Sequence, residues 1–351
     1  MAATPDRHPG ALTEDDEIRL VSNATSPTVA GAFNYNGSTF LFRDAAGTFN
    51  PRTSLPGTNV LWVLDGGSYT SIQAAIDAAA DQSVLLVGPK SGGSWGPAAF
   101  PAGKRLAVVG LAPKLGEQVK VDSVSFAPST GANILLNTVY VRGLMITGSF
   151  VGSQGVSFAG SAPARLRLQE CYIYNSGASG NGVVSDNGGS GSSLYLDNCT
   201  VQSGVSTGVG VNHVRGYTSI KGGCEVSRWQ YALQCAAGNV EILNALLDTT
   251  GISNEAVRIS GGVVTVGYST IKNTNANASG VNLTAASATL GMGDATFAIA
   301  AGSGYCVRGV SGSYFLYGRI TYSHSAAAAY NVKVQNTVSA VPVAQAFTSS
   351  Q

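Results

Sequence analysis

The chain has 351 residues, enough for one large domain or two ordinary ones, with 44% hydrophobic and 11% charged residues and a net charge of +1. So apolar and weakly charged a composition excludes a disordered chain, and a near-zero net charge gives no field to draw in nucleic acid or an anionic membrane. No apolar run approaches the ~18 residues of a membrane span, and five cysteines with no CxxC or Cys/His cluster argue against a disulfide framework and a zinc site.

The opening segment, MAATPDRHPGALTEDDEIRL, is polar and acidic. It lacks the basic and apolar regions of a secretory signal, so the chain is expected to fold in a cytoplasm. Residues 15–55 read as a separate β unit of two hairpin-like pieces, with Asn36-Gly37 and Ala46-Gly47 as turns. A short helix follows. Thr70 and Gln73 have the spacing of a capping box, and Ile72, Ala75, Ile76 and Ala79 give one apolar face through Ala80. After it, SVLLVGPKSGG and KRLAVVGLAP read as the first two coils of a repeating structure.

From there the chain repeats itself. A pattern of apolar, x, x, small, x, apolar runs through Val141–Ile146, Leu168–Ile173, Leu196–Val201, Ile242–Leu247, Val266–Ile271 and Met292–Phe297, and Ile220–Val226 carries one extra residue. The fourth positions, Leu144, Cys171, Cys199, Cys224, Ala245, Ser269 and Ala295, lie 27, 28, 25, 21, 24 and 26 residues apart. A second series marks the turn to a new strand: Gly155-Val156-Ser157-Phe158, Gly208-Val209-Gly210-Val211, Ala256-Val257-Arg258-Ile259 and Gly280-Val281-Asn282-Leu283, with Gly182-Val183 and Tyr231-Ala232-Leu233 as looser copies. Several short period-2 strands per unit, punctuated by Gly, Asn and Ser, predict an all-β parallel solenoid with one coil per unit. Stacked coils place equivalent residues on top of one another. The seven small positions would then form one inward column, with the cysteines as buried, reduced thiols. A metal site lacks a His or a second Cys in the same coil, and no metal or cofactor is expected. A disulfide between neighbouring coils fits the geometry but needs an oxidising compartment.

The run GGSYTSIQAAIDAAADQSVLLVGPKSGGSWGPAAFPAGKRLAVVGLAP resembles the opening segment of pectate-lyase-like right-handed parallel β-helices. With the repeats, the resemblance covers about residues 58–310 of a β-helix read over 56–310, and it implies the fold rather than an activity. Residues 1–55 resemble the N-terminal attachment segments of bacteriophage tail fibres and tailspikes. After residue 310, further strands and the cluster Tyr314, Phe315, Leu316, Tyr317, Ile320 and Tyr322 suggest a C-terminal β cap over 311–351, a region that in such spikes knits three chains together.

Chemistry is sparse. Glu170 and Asp197 are the nearest approach to a carboxylate pair on consecutive coils, but alternation sends them to different sides, and no catalytic residue is assigned. His213, without a Ser or Cys partner in sequence, reads as a surface or turn residue. Trp229, Tyr231 and Trp95 are candidate sugar-stacking aromatics, with local packing as the competing role. The expectation is a virion protein of a phage or phage-like particle: a homotrimeric spike or fibre, joined to other virion proteins through residues 1–55 and touching host surface polysaccharide. A capsid decoration or head fibre, and a polysaccharide depolymerase, stand as alternatives.

Overall fold

The computed structural model describes residues 59–309 apart from 112–117, 132, 205–206, 250–254, 274, 276–278 and 300–304, together with the backbone of seven strands outside that range. Backbone contacts divide the chain into two units, 1–55 and 56–351. In the first, Phe33–Tyr35, Phe40–Arg43 and Thr48–Phe49 form an antiparallel sheet. The expected turns lie outside the described residues, but the strands pair across them, Tyr35 with Phe40 and Arg43 with Thr48.

The second unit is an all-β parallel solenoid of about nine turns. A complete turn contributes three strands, as in Arg165–Gln169, Tyr172–Asn175 and Asn181–Asn187, each hydrogen-bonded in parallel to its equivalent in the next turn. Three sheets result, called first, second and third in that order. Registers hold inward residues in columns. In the first sheet Val141, Leu168, Leu196, Ile220, Ile242, Val266 and Met292 are register partners, and none is exposed. Burial of such columns drives the fold, at ~25 cal/mol per Å² of apolar area.

The corner between the first and second sheets is a single residue. Leu168 faces in and Gln169 out; Glu170 then takes a left-handed conformation with φ 53°, and Cys171 faces in again. The same step recurs at Gly143, Asn198, Asn244, Tyr268 and Asp294. This one residue out of alternation is why the repeat reads apolar-x-x-small-x-apolar: the pattern spans a bend and two strands.

The corner between the second and third sheets is built differently. Buried Asn175 and Asn273 each accept a hydrogen bond from the N–H two residues on, Gly177 at 2.9 Å and Asn275 at 3.1 Å. Each amide nitrogen then donates to a carbonyl at or just before the start of the third-sheet strand, Ser179 at 3.3 Å and Ser279 at 3.2 Å. A side chain that mimics a turn replaces the ladder the backbone loses there. The Gly-Val series lies on the far side of this bend. A Cβ on Gly182 would fall 2.6 Å from Val201 Cγ1 and 3.0 Å from the Trp229 ring, and one on Gly210 2.4 Å from Val226 Cγ1 and 2.9 Å from that ring, so these positions stay small because valines of the second sheet and Trp229 fill the corner.

The helix caps the N-terminal end and spans Ile72–Ala78, with Ile72, Ala75 and Ile76 buried. Its N-cap is Ser71, whose Oγ accepts from Ala74 N–H at 3.1 Å, not Thr70 as the sequence suggested. The capping box fails because Gln73 is engaged elsewhere. Its amide donates to Ala99 O at 3.0 Å and accepts from Ala99 N–H at 2.8 Å, tying the helix to the strand Ala98–Phe100. The first rung of the first sheet also precedes the helix: Val60–Val63 pairs with Ser83–Val87. At the other end, Ser313–Ser323 and Tyr330–Val334 continue the parallel ladders from Ala288–Ile299 and Tyr305–Gly309. The side chains of Tyr314, Phe315 and their neighbours lie outside the described residues.

Candidate functional site

The seven small positions are all buried, from Cys199 and Cys224 at 1% exposure to Ala245 at 7%. They form a continuous corner stack: the carbonyls of Cys171, Cys199, Cys224, Ala245 and Ser269 each accept from the N–H of the residue following the next column member. All five cysteines are free thiols and buried. Among the described residues no three His, Cys, Asp or Glu side chains gather as a metal site, and no helix is long and apolar enough to cross a membrane.

The acids bind successive coils together. Glu170 pairs with Arg142 at 2.9 Å and Asp197 with Arg167 at 2.7 Å. Asp186 pairs with Arg215 at 2.6 Å, Asp248 with Lys272 at 3.0 Å, and Asp81 with Arg105. Hydrogen bonds from Arg105 hold the Asp81 carboxyl well below the usual carboxylate range. Glu170 and Asp197 do not form a carboxylate pair, since each turns to an arginine on the coil before it. Every one of these five acids is thus an inter-coil brace on an exposed or half-buried surface.

Two of the three candidate aromatics are corrected. Trp229 is wholly buried, with Nε1 donating to Val201 O at 3.0 Å; Trp95 is 2% exposed, with Nε1 donating to Gly88 O at 2.7 Å. Neither ring can meet a sugar, because each plugs a corner of the solenoid. Tyr231 is half-buried on the outside of the third sheet, where its hydroxyl meets Arg258 at 3.3 Å and the guanidinium lies 5.6 Å from the ring centre.

His213 is corrected as well. It faces inward on the third sheet with no exposed surface, in register with Ser185 on one side and Cys235 on the other. Its Nδ1 lies 2.9 Å from Thr218 Oγ1, which donates to Ser185 Oγ at 3.0 Å. Nε2 has no hydrogen-bond partner among the described residues. Burial pushes the imidazole down from 6.5 to about 4. Neither this cluster nor the corner asparagines stood out in the sequence; the one signal for the latter is Asn directly after an apolar strand, in IYNSG and IKNTN.

Aromatic and cationic side chains gather on the outer face of the first sheet. Tyr140, Arg167, Tyr195, Ser219 and Glu241 are register partners along one outward column. Arg165, Ser193 and Tyr217 follow one another in the column beside it. Arg167 lies 6.0 Å from the Tyr140 ring centre, while Arg165 and Lys221 lie 5.9 and 6.0 Å from that of Tyr195. Tyr195 and Tyr217 meet edge to face at 6.0 Å. The Tyr217 hydroxyl donates to Glu241 at 2.6 Å; burial first and this acceptor second push it up to about 12. Beside Arg165, a depression of about 350 Å³ is lined by Val84, Ala107, Leu135, Thr138 and Arg105 among others. The sequence does not mark this strip, because its tyrosines and arginines come from four different coils.

No protein-family model matches the chain, and neither a curated protein nor a solved structure does.

Proposed function

We propose that this chain is a structural protein of a bacteriophage or phage-like particle. In this reading it is a trimeric β-solenoid spike or fibre, held to the particle by residues 1–55, that presents the outer face of its first sheet to host surface glycans. The observation that carries the reading is the Tyr140–Arg167–Tyr195–Tyr217 strip on a braced, densely buried stack. Tyrosine rings offer apolar faces to sugar rings, and guanidinium groups supply donors for hydroxyls. At ~4.8 Å per coil the strip extends ~14 Å, enough for a short oligosaccharide. The acids that a depolymerase would use for general acid and base work are engaged as inter-coil braces wherever ion pairs are described.

The test is gold-labelled antibody against the chain on particles from a host lysate, followed by binding of host surface polysaccharide to wild type and Tyr195→Ala. Label at the tail with binding weakened at least tenfold by the substitution supports the whole reading. Label over the head makes the chain a decoration protein. Label on no particle overturns the virion assignment, and polysaccharide cleavage by purified protein replaces it with a depolymerase.

A further inference from the structure

The inward corner column contains three cysteines on consecutive coils, and their registers differ. Around Cys171 and Cys199 the pairing has no slip: Gln169 faces Asp197 and Tyr172 faces Thr200, the same offset on both sides of the corner. Cys171 and Cys199 therefore stack directly, with Cα atoms ~4.8 Å apart, inside the ~4.4–6.8 Å window of a disulfide. Their thiols occupy equivalent places. Cys171 Sγ lies 3.4 Å from Gln169 O, and Cys199 Sγ 3.5 Å from Asp197 O, each against the carbonyl two residues back.

Cys224 stands differently. Asp197 faces Lys221 but Thr200 faces Glu225, so the next coil inserts one residue at its corner, where Gly222 and Gly223 both have positive φ. That insertion turns Cys224 Sγ toward the backbone, where it accepts from Cys199 N–H at 3.2 Å and donates to Lys221 O at 3.0 Å.

We propose that Cys171 and Cys199 are a peroxide-oxidisable pair that forms a disulfide within the folded solenoid, stapling two successive coils, while Cys224 stays a thiol. Either thiol of the pair can react first; the steps are the same with Cys171 as the attacking thiolate. Its sulfur attacks a peroxide oxygen; the O–O bond breaks, water leaves, and Cys171 becomes a sulfenic acid. Cys199 sulfur then attacks the Cys171 sulfur, the S–O bond breaks, and a second water carries away the oxygen with the Cys199 proton. Two thiols are oxidised and one hydrogen peroxide is reduced. Because the stack is dry, the reaction proceeds at the rate at which the corner opens.

The experiment is hydrogen peroxide treatment of the full chain under native conditions, then thiol blocking in denaturant and peptide mass mapping. The expected result is a loss of about 2 Da in a Cys171–Cys199 cross-linked peptide pair, with Cys224 fully blocked. Cys224→Ser should keep the cross-link, and Cys171→Ser should lose it. Serine is a fair probe because Ser269 already occupies this column, accepting from Ala245 N–H at 3.1 Å and donating to Gly267 O at 2.7 Å. A Cys199–Cys224 link, links between chains only, sulfinic acid without a link, unreacted thiols, or a link that forms only in denaturant would each overturn the proposal. Mapping of the unsubstituted chain decides the matter even if a serine variant fails to fold.

Discussion

Thr218 Oγ1 sits between His213 Nδ1 at 2.9 Å and Ser185 Oγ at 3.0 Å, a polar chain sealed inside the stack. The imidazole is held neutral by burial, and its value of about 4 lies below the 6.5 of an unfolded chain. A depressed base contributes stability that is complete above pH ~6.5 and drains away as pH falls toward ~4, because the unfolded chain takes up the proton first. The difference amounts to ~3 kcal/mol at most. Denaturant midpoints measured from pH 7 to 4 should fall, and His213→Gln should flatten that fall. An equal decline in the variant would place the acid sensitivity elsewhere.

Within the cysteine column, Cys199→Asp should abolish soluble, folded protein, since a carboxylate there is unpaired and dry. Cys199→Ser should fold, with a cost of about 1 kcal/mol, because the column already accommodates a hydroxyl at Ser269. Thermal unfolding of the two variants side by side checks this; a stable aspartate variant would mean the corner is open to water.

Trp229 holds the corner between the second and third sheets, so Trp229→Ala should cost ~3–5 kcal/mol. Gly210→Ala should cost ~1–3 kcal/mol by the opposite route. Its Cβ would stand 2.4 Å from Val226 Cγ1 and 2.8 Å from Ala232 O. The two changes share a contact at the Trp229 ring, so urea denaturation of the double variant should show less than the sum.

Tyr268 is 71% exposed yet sits at φ 49° in the single-residue corner. A left-handed conformation costs a non-glycine residue ~1–2 kcal/mol, and little packing is lost when this ring goes. Tyr268→Gly should therefore raise stability by ~0.5–1 kcal/mol after the entropy of the unfolded glycine is counted. Tyr268→Val should lower it. A loss in the glycine variant would show that the ring is doing something its exposure hides.

Much of this architecture was legible from Leu168, Cys171 and Ile173 and their counterparts. Apolar spacing is a local property of the chain, and a stack of coils repeats one local solution, so the pattern carries the fold, the small column and the Gly-Val turn. Even the extra residue before Cys224 shows in the sequence as a longer gap after Ile220.

Other features depend on which residues meet across coils, and spacing along the chain does not encode that. Whether Trp229 faces a ligand or a corner turned on the left-handed step at Arg228 and on the two glycines beneath its ring. His213 looked like a lone polar residue because Ser185 lies a full coil away and Thr218 on the next sheet. Glu170 and Asp197 became braces once the register set Arg142 and Arg167 beside them. The tyrosine and arginine strip of the first sheet, too, exists only when four coils are laid in register. The sequence alone determined the coil, its inward columns and its bends, because each is a choice made within one turn. The tertiary structure decided partners and faces, because these depend on the ~4.8 Å stacking that brings residues more than twenty positions apart into contact.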